Sequence, residues 1–264
     1  MPIAVLVVHG IGDQAADFAD GFIARLRDAC REHGGDGDAL VARPCWWAPV
    51  LQAREEDLAR RLGGERLGWS RLRRFMTGFA ADALAYQPVP GESGIYDEIH
   101  AQVDRDLAAL ADAAGANAPL AVVSHSLGTV VMSNHLWNLQ RGRGPAADHR
   151  ALVHGRTLDL AVTMGSPLAL WALRWPGFGT PITVPAPGRT STGGWLNLYD
   201  ADDVIGYPLR PLNQAYAAAV EADIPVRCTP AWRGWTPASH LDYWDTPQVT
   251  DLIGARLARL QGGG

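Results

Sequence analysis

The chain has 264 residues, 47% of them hydrophobic and 19% charged, and its formal net charge at pH 7 is -5. This length and composition allow one large α/β domain, 1–264, with a sizeable buried core. The acidic balance argues against nucleic-acid binding, and the lack of any apolar run of about 18 residues argues against a transmembrane helix.

Short apolar runs alternate along the chain with segments of helical periodicity. The predicted strands are 3–8, 39–47, 120–123, 158–164, 195–199 and 224–228. The predicted helices are 15–33, capped by Asp13, then 50–87 in two pieces, 95–113, 129–139 and 246–260, with a loop over 168–194. This alternation predicts a mostly parallel sheet with helices on both faces, and ligand chemistry at the carboxyl ends of its strands.

The most informative segment is Ser124-His125-Ser126-Leu127-Gly128. It joins the predicted strand 120–123 to the predicted helix 129–139, so Ser126 lies at the apex of a strand–turn–helix unit. A nucleophilic serine needs that context, because the sharp turn lifts its hydroxyl clear of the sheet. The usual pattern has glycine two residues on either side of the serine, and Ser124 departs from it.

A serine hydroxyl is a weak nucleophile without a neighbouring base, which is normally a histidine oriented by a carboxylate. Among the eight histidines, only His240 follows the acidic cluster Asp200, Asp202 and Asp203, and so gives the chain order Ser, acid, His. Asp203 is the favoured acid, because it directly precedes an apolar pair that can anchor the loop. Asp200 and Asp202 remain alternatives.

Two backbone N–H groups are predicted to stabilise an oxyanion. That of Leu127 opens a helix, and that of Ile11 lies in the loop His9-Gly10-Ile11-Gly12 after the first strand. His9 is expected to brace this loop by hydrogen bonding and to lie beside the substrate.

Together these segments resemble the α/β-hydrolase superfamily, and within it the lipases and esterases. The resemblance extends over Val8 to Gln14, Ser124 to Gly128, Gly165-Ser166-Pro167, Asn197 to Asp200 with Asp203, and His240 to Trp244. The HGIG loop with SHSLG is also similar to intracellular phospholipases that prefer phosphatidic acid and to bacterial lipase-like proteins. The resemblance implies an α/β-hydrolase fold, with Ser126, Asp203 and His240 as a catalytic triad and Ile11 and Leu127 as the oxyanion hole. Val204 departs from it, because such proteins often have proline there.

Residues 50–94 are predicted to form a small helical cap insertion. Seven arginines lie between Arg54 and Arg74 against four acidic residues, which fits either the solvated face of amphipathic helices or a cap that meets anionic headgroups at a membrane surface. The aromatic residues Phe75, Phe79, Trp171 and Trp175 are expected to line an acyl pocket, although a plain core role is the alternative.

The sequence therefore predicts a serine hydrolase that cleaves small-molecule or lipid esters through an acyl-enzyme, with no metal or organic cofactor. A thioesterase or acyltransferase on the same residues is the first alternative, and a non-catalytic binding protein is the second. Three cysteines without paired spacing and an amino-terminal apolar run that ends at His9 predict a cytoplasmic protein. Because all 23 basic residues are arginine, the composition is typical of a GC-rich bacterial genome.

Overall fold

Six short, mostly apolar segments form the strands of one sheet. The computed structural model describes residues 1–10, 14–51, 57, 60–61, 83–87, 94–174, 179–228 and 238–263. The strands are β1 (Ile3–Val8), β2 (Leu40–Cys45), β3 (Leu120–His125), β4 (Leu158–Met164), β5 (Gly194–Tyr199) and β6 (Ala222–Pro225). All residues of β1, β3 and β4 are buried, as expected of central strands covered on both faces.

The strand order is β2-β1-β3-β4-β5-β6, and every neighbouring pair is parallel. Val8 at the end of β1 is in register with Cys45 of β2 and with Ser124 of β3, and His125 is in register with Met164 of β4. The carboxyl ends of the central strands therefore meet at one edge of the sheet, which is where parallel sheets bind ligands.

The helices cover both faces of this sheet. The helices whose full bounds fall within the described residues are α1 (Asp20–Glu32), α2 (Ile95–Ala114), α3 (Leu127–Leu139), α4 (Leu168–Trp171), α5 (Gln214–Ala219), α6 (Ala238–Leu241) and α7 (Pro247–Gly262). The described residues also include short 3-10 helices at Gly37–Ala39, Ala172–Arg174, Arg210–Leu212 and Asp242–Asp245.

Alternating side chains of each strand divide the core into two layers. Ile3, Val5 and Val7 of β1 pack with the apolar sides of α1 and α7. Ala4 and Leu6 point to the opposite face and pack with α2 and α3. The sequence prediction of an α/β architecture with a parallel sheet between helices is confirmed.

Two element boundaries differ from the prediction. Helix α1 begins at Asp20, five residues after its predicted start; residues 15–19 form turns, and the Phe18 ring lies edge-on to His9, with the ring centroids 5.0 Å apart. Strand β6 ends at Pro225, three residues before its predicted end; the Val226 N–H still donates to the Tyr199 carbonyl at 2.9 Å, whereas the Cys228 N–H donates to the Asp200 carboxylate at 2.6 Å.

The predicted loop 168–194 contains α4, and α5 lies in a stretch for which no helix was predicted. The predicted cap 50–94 lies mostly outside the described residues, as does the predicted cap residue Asp13. Within that stretch, Arg60 and Arg61 are exposed and pair with Asp57 at 3.2 and 2.5 Å, as on a solvated helix face. In the ranges that the structure describes, no helix combines the length and apolar character needed to cross a lipid bilayer.

The contact between α1 and α7 gives a test of the packing. A Cβ at Gly254 would lie 2.8 Å from the Ala29 carbonyl carbon and 2.9 Å from the Cys30 nitrogen, and neither backbone atom can move freely. We predict that Gly254→Ala lowers the free energy of unfolding by about 1–3 kcal/mol, despite the helix propensity of alanine. Chemical denaturation measures this. Gly262→Ala in the same helix meets open space and should leave stability unchanged or slightly raised; equal losses in both variants would contradict the packing argument.

Candidate active site

Ser126 occupies a strained turn between β3 and α3. Its backbone angles are φ 53° and ψ -131°, and it is the one non-glycine residue with positive φ within the described ranges. Such a conformation costs on the order of 1–3 kcal/mol and persists only where the surroundings hold it in place. Strain of this kind is concentrated at functional sites, so Ser126 is the centre of the candidate site.

Hydrogen bonds on both sides hold the turn. The Ser126 N–H donates to the Met164 carbonyl at the end of β4 at 3.0 Å. The Ser126 carbonyl accepts from the N–H and the hydroxyl of Thr129 at 2.9 and 2.7 Å. The Thr129 hydroxyl in turn lies 2.8 Å from that of Ser166, so the turns after β3 and β4 are joined.

Two glycines allow the loop after β1 to reach this turn. A Cβ at Gly10 would collide with the Ser126 side chain, and a Cβ at Gly128 would collide with the His9 carbonyl. Ser124, in place of the usual first glycine, is buried and donates its hydroxyl to the Val162 carbonyl of β4 at 3.2 Å. The small hydroxyl therefore fits the site by completing a hydrogen bond across the sheet.

Three distant side chains form a continuous series of hydrogen bonds at this edge. His240 Nε2 lies 2.7 Å from Ser126 Oγ, and His240 Nδ1 lies 2.9 and 3.0 Å from the two oxygens of Asp203. All three residues are buried, with 0%, 1% and 5% of Ser126, His240 and Asp203 exposed. With Nδ1–H donating to Asp203, Nε2 is the atom that can accept the serine proton.

The Asp203 carboxylate is stabilised in its charged form. Burial alone would raise its pKa, but the hydrogen bond and charge of His240, the Ile205 N–H and the Tyr243 hydroxyl outweigh burial and lower the pKa. The Ile205 N–H and Tyr243 hydroxyl both donate to Asp203 at 3.0 Å. Of the apolar pair after Asp203, Ile205 is buried and anchors the loop, whereas Val204 is exposed.

The other two aspartates have different positions. The Asp200 carboxylate accepts from the N–H groups of Cys228 and Asp202 at 2.6 and 2.9 Å, so it stabilises the loop. The Asp202 side chain is exposed. Asp203 is therefore the aspartate that contacts His240.

His125 is a neighbour of the site to which the sequence analysis gave no role. Its Nε2–H donates to the backbone carbonyl of His240 at 2.7 Å, which fixes the segment that carries the imidazole. Burial, followed by repulsion from His240, lowers the pKa of His125 to about 3, so the ring is neutral at physiological pH. The sequence signal for a role of His125 was its position next to Ser126. Tyr243, which donates to Asp203, could likewise have been identified from its position three residues after His240.

His9 braces the loop after β1, as expected. Its Nδ1–H donates to the Gly10 carbonyl at 2.7 Å, and Nε2 accepts from the N–H groups of Trp47 and Ala48 at 3.1 and 3.2 Å. Burial lowers the pKa of His9 to about 4, and a proton on Nε2 would face two N–H donors. Both ring nitrogens of His9 form hydrogen bonds with the backbone. Neither nitrogen is therefore left for the predicted contact with a substrate.

The predicted oxyanion donors and pocket residues are only partly described. The Leu127 N–H lies in the first turn of α3, where amides have no acceptor within the helix. Ile11, Phe75, Phe79 and Trp175 lie outside the described residues. Trp171 lies at the wall of a cavity of about 870 Å³ that also contacts α3.

In the part of the chain that the structure describes, no group of three or more histidine, cysteine or acidic side chains is placed to hold a metal ion. Comparison of the sequence with models of protein families gives no match, and no curated protein matches it significantly. The chemical meaning of the site therefore rests on its geometry.

The neutral histidines predict a pH dependence of stability. The unfolded chain takes up a proton at His125 near pH 6.5, whereas the folded chain does so only near pH 3. The contribution of His125 to the free energy of unfolding is therefore fully present above about pH 6.5 and is lost as the pH falls. The total loss is about 1.4 kcal/mol for each unit by which the folded and unfolded pKa values differ. We expect His125→Gln to flatten the unfolding free energy between pH 7 and 4.5, measured by denaturation.

His149 is exposed and serves as the matched control, so His149→Gln should retain the wild-type pH profile. If the profile of His125→Gln superimposed on that of the wild type, the neutral state of His125 in the fold would be wrong.

Proposed function

We propose that this chain is a serine hydrolase that cleaves carboxylic esters, with Ser126 as nucleophile, His240 as general base and Asp203 as the acid that orients His240. The observation that carries the proposal is the buried series Ser126 Oγ–His240 Nε2, at 2.7 Å, and His240 Nδ1–Asp203, at 2.9 Å, at a strained strand–turn–helix junction. A nucleophile, a base and an orienting group within hydrogen-bond distance form the arrangement needed for acyl transfer.

The reaction proceeds in two halves. Ser126 Oγ attacks the ester carbonyl while His240 Nε2 takes the hydroxyl proton, and the resulting imidazolium is stabilised by Asp203. The tetrahedral intermediate collapses as His240 returns the proton to the leaving alcohol, which leaves an acyl group on Ser126. A water molecule then gives a proton to His240 and attacks the acyl carbonyl, which releases the acid and restores the serine.

The oxyanion is stabilised by backbone N–H groups. Leu127 at the amino terminus of α3 is the first donor, and the loop after β1, which carries Ile11, supplies the second. The contact of Gly10 with Ser126 supports this assignment, because it brings that loop to the nucleophile. Electrostatic stabilisation of this kind depends on the exclusion of water, and the burial of Ser126 is consistent with it.

We further propose that this chain belongs to the α/β-hydrolase family. A serine at a strand-to-helix turn, the chain order Ser126, Asp203, His240 and an oxyanion donor after the first strand are the features that distinguish this family. The parallel sheet with helices on both faces supplies the required scaffold.

Removal of the nucleophile gives the first test. Ser126→Ala should lower kcat for short p-nitrophenyl esters by about 10⁵- to 10⁶-fold and abolish labelling by a fluorophosphonate, since the variant lacks the hydroxyl that carries the proposed acyl group. Ser191→Ala, near the amino end of β5 and distant from the site edge, is the matched control and should retain full activity. Undiminished hydrolysis or labelling in Ser126→Ala would refute the proposal.

The identity of the acid is tested by two neighbouring aspartates. Asp203→Asn should reduce kcat by about 10⁴-fold, because an amide cannot hold His240 in the right tautomer. Asp202→Asn removes an exposed carboxylate in the same loop and should stay within about twofold of wild type, as is usual for surface positions. Equal activities of the two variants in a p-nitrophenyl ester assay would exclude Asp203 as the acid.

A further inference from the structure

A large cavity lies beside α3, on the side of the helix that faces away from the sheet. Its volume is about 870 Å³, within the range of about 300–1,000 Å³ that is common for small-molecule sites. Its apolar wall is formed by Trp137, Leu168, Trp171 and Tyr216. This wall can accommodate an alkyl chain or an aromatic body.

The cavity starts close to Ser126 without including it. Ser133, on its wall, follows Ser126 by seven residues, which corresponds to about 10 Å along the helix axis. Leu168, also on its wall, directly follows the turn in which Ser166 contacts Thr129. A ligand in this cavity would therefore extend along α3, away from the nucleophile.

Two tyrosine hydroxyls on the cavity wall are held by protein partners. The Tyr86 hydroxyl lies 2.9 Å from His100 Nε2 and accepts from the Asn134 amide at 3.2 Å. The Tyr96 hydroxyl accepts from the Asn138 amide at 3.1 Å. These bonds fix the wall before any ligand arrives, so binding there needs little reordering of these side chains.

Among the described residues that line the cavity, Arg143 is the charged one. Arg143 lies on its wall with its guanidinium carbon 5.6 Å from the centre of the Trp137 ring, and Arg141 stacks on the same ring at 3.5 Å. None of the described residues that line the cavity is acidic, and no ion pair joins either arginine to a carboxylate in the described ranges. Within the described residues, the cavity wall therefore places the positive charge of Arg143 beside an apolar surface.

We propose that this cavity binds an amphiphile with an apolar body and a terminal carboxylate, with the body against Trp137 and Trp171 and the carboxylate at Arg143. The guanidinium is suited to a carboxylate because it presents parallel N–H donors. The site goes beyond ester cleavage at Ser126 and does not depend on it. The carboxylate can belong to a free acid or to the far end of an ester substrate.

Direct binding tests the site without catalysis. Isothermal titration calorimetry at pH 7.5 compares octanoate with 1-octanol, which has the same chain length and no charge. Octanoate should bind about three- to fivefold more tightly at low ionic strength, as an exposed ion pair allows, and added salt should weaken octanoate alone. Arg143→Gln should bring the two affinities to the same value.

Arg156 supplies the matched control. It is exposed and precedes β4 at the opposite end of the sheet, so Arg156→Gln should retain the preference for octanoate. Ser133→Phe, which fills the cavity, should weaken both ligands, with its thermal unfolding midpoint measured to verify that it folds. Equal binding of octanoate and 1-octanol to wild type, or an unchanged preference in Arg143→Gln, would overturn the proposal.

Ser126→Ala should bind octanoate as wild type does, so a failure of the hydrolase proposal leaves this result intact. A kinetic comparison distinguishes a carboxylate of a free acid from a carboxylate at the far end of an ester substrate. It compares p-nitrophenyl monoesters of dicarboxylic acids with neutral p-nitrophenyl alkanoates of equal length. A higher kcat/KM for the monoesters that disappears in Arg143→Gln assigns the carboxylate to the substrate. Equal kcat/KM together with octanoate binding assigns the site to a free acid.

Discussion

The backbone of Ser126 is held in a left-handed conformation that serine rarely adopts, and the geometry of the site follows from it. The strain is offset by the bond to the Met164 carbonyl, by the two bonds from Thr129 and by the close contact with Gly10. These contacts come from β4, α3 and the loop after β1, so the turn depends on the register of the central strands. The parallel sheet thus positions one hydroxyl accurately.

Burial determines which groups near this turn carry charge. His9 and His125 are neutral because desolvation opposes their protonation, and each acts as a hydrogen-bonding clamp on backbone. Asp203 keeps its charge because three donors surround it. His240 therefore has a negative partner on one side and a neutral ring, that of His125, on the other. In the proposed reaction, the Asp203 carboxylate is the group that orients the His240 ring toward Ser126.

Much of the fold could be predicted because apolar runs and helical periodicity are local. The strand 158–164 was predicted with the bounds that the structure has, and β1 likewise. The predicted start of α1 and the predicted end of β6 were wrong. At the first, residues 15–19 form turns with Phe18 against His9, and past the second the Cys228 N–H donates to the Asp200 carboxylate. Contacts between separate elements of this kind are not recorded in a local pattern of apolar residues.

The sequence by itself determined the alternation of strands and helices, the turn that carries Ser126 and the order in which serine, aspartates and His240 follow. These depend on residue type and spacing, which the chain carries directly. Only the tertiary structure decided that Asp203 contacts His240, that His125 holds the His240 carbonyl and that Arg143 lies on an apolar cavity. Those facts depend on how separate elements approach one another, because a carboxylate or guanidinium acquires its role only from the groups that packing places beside it.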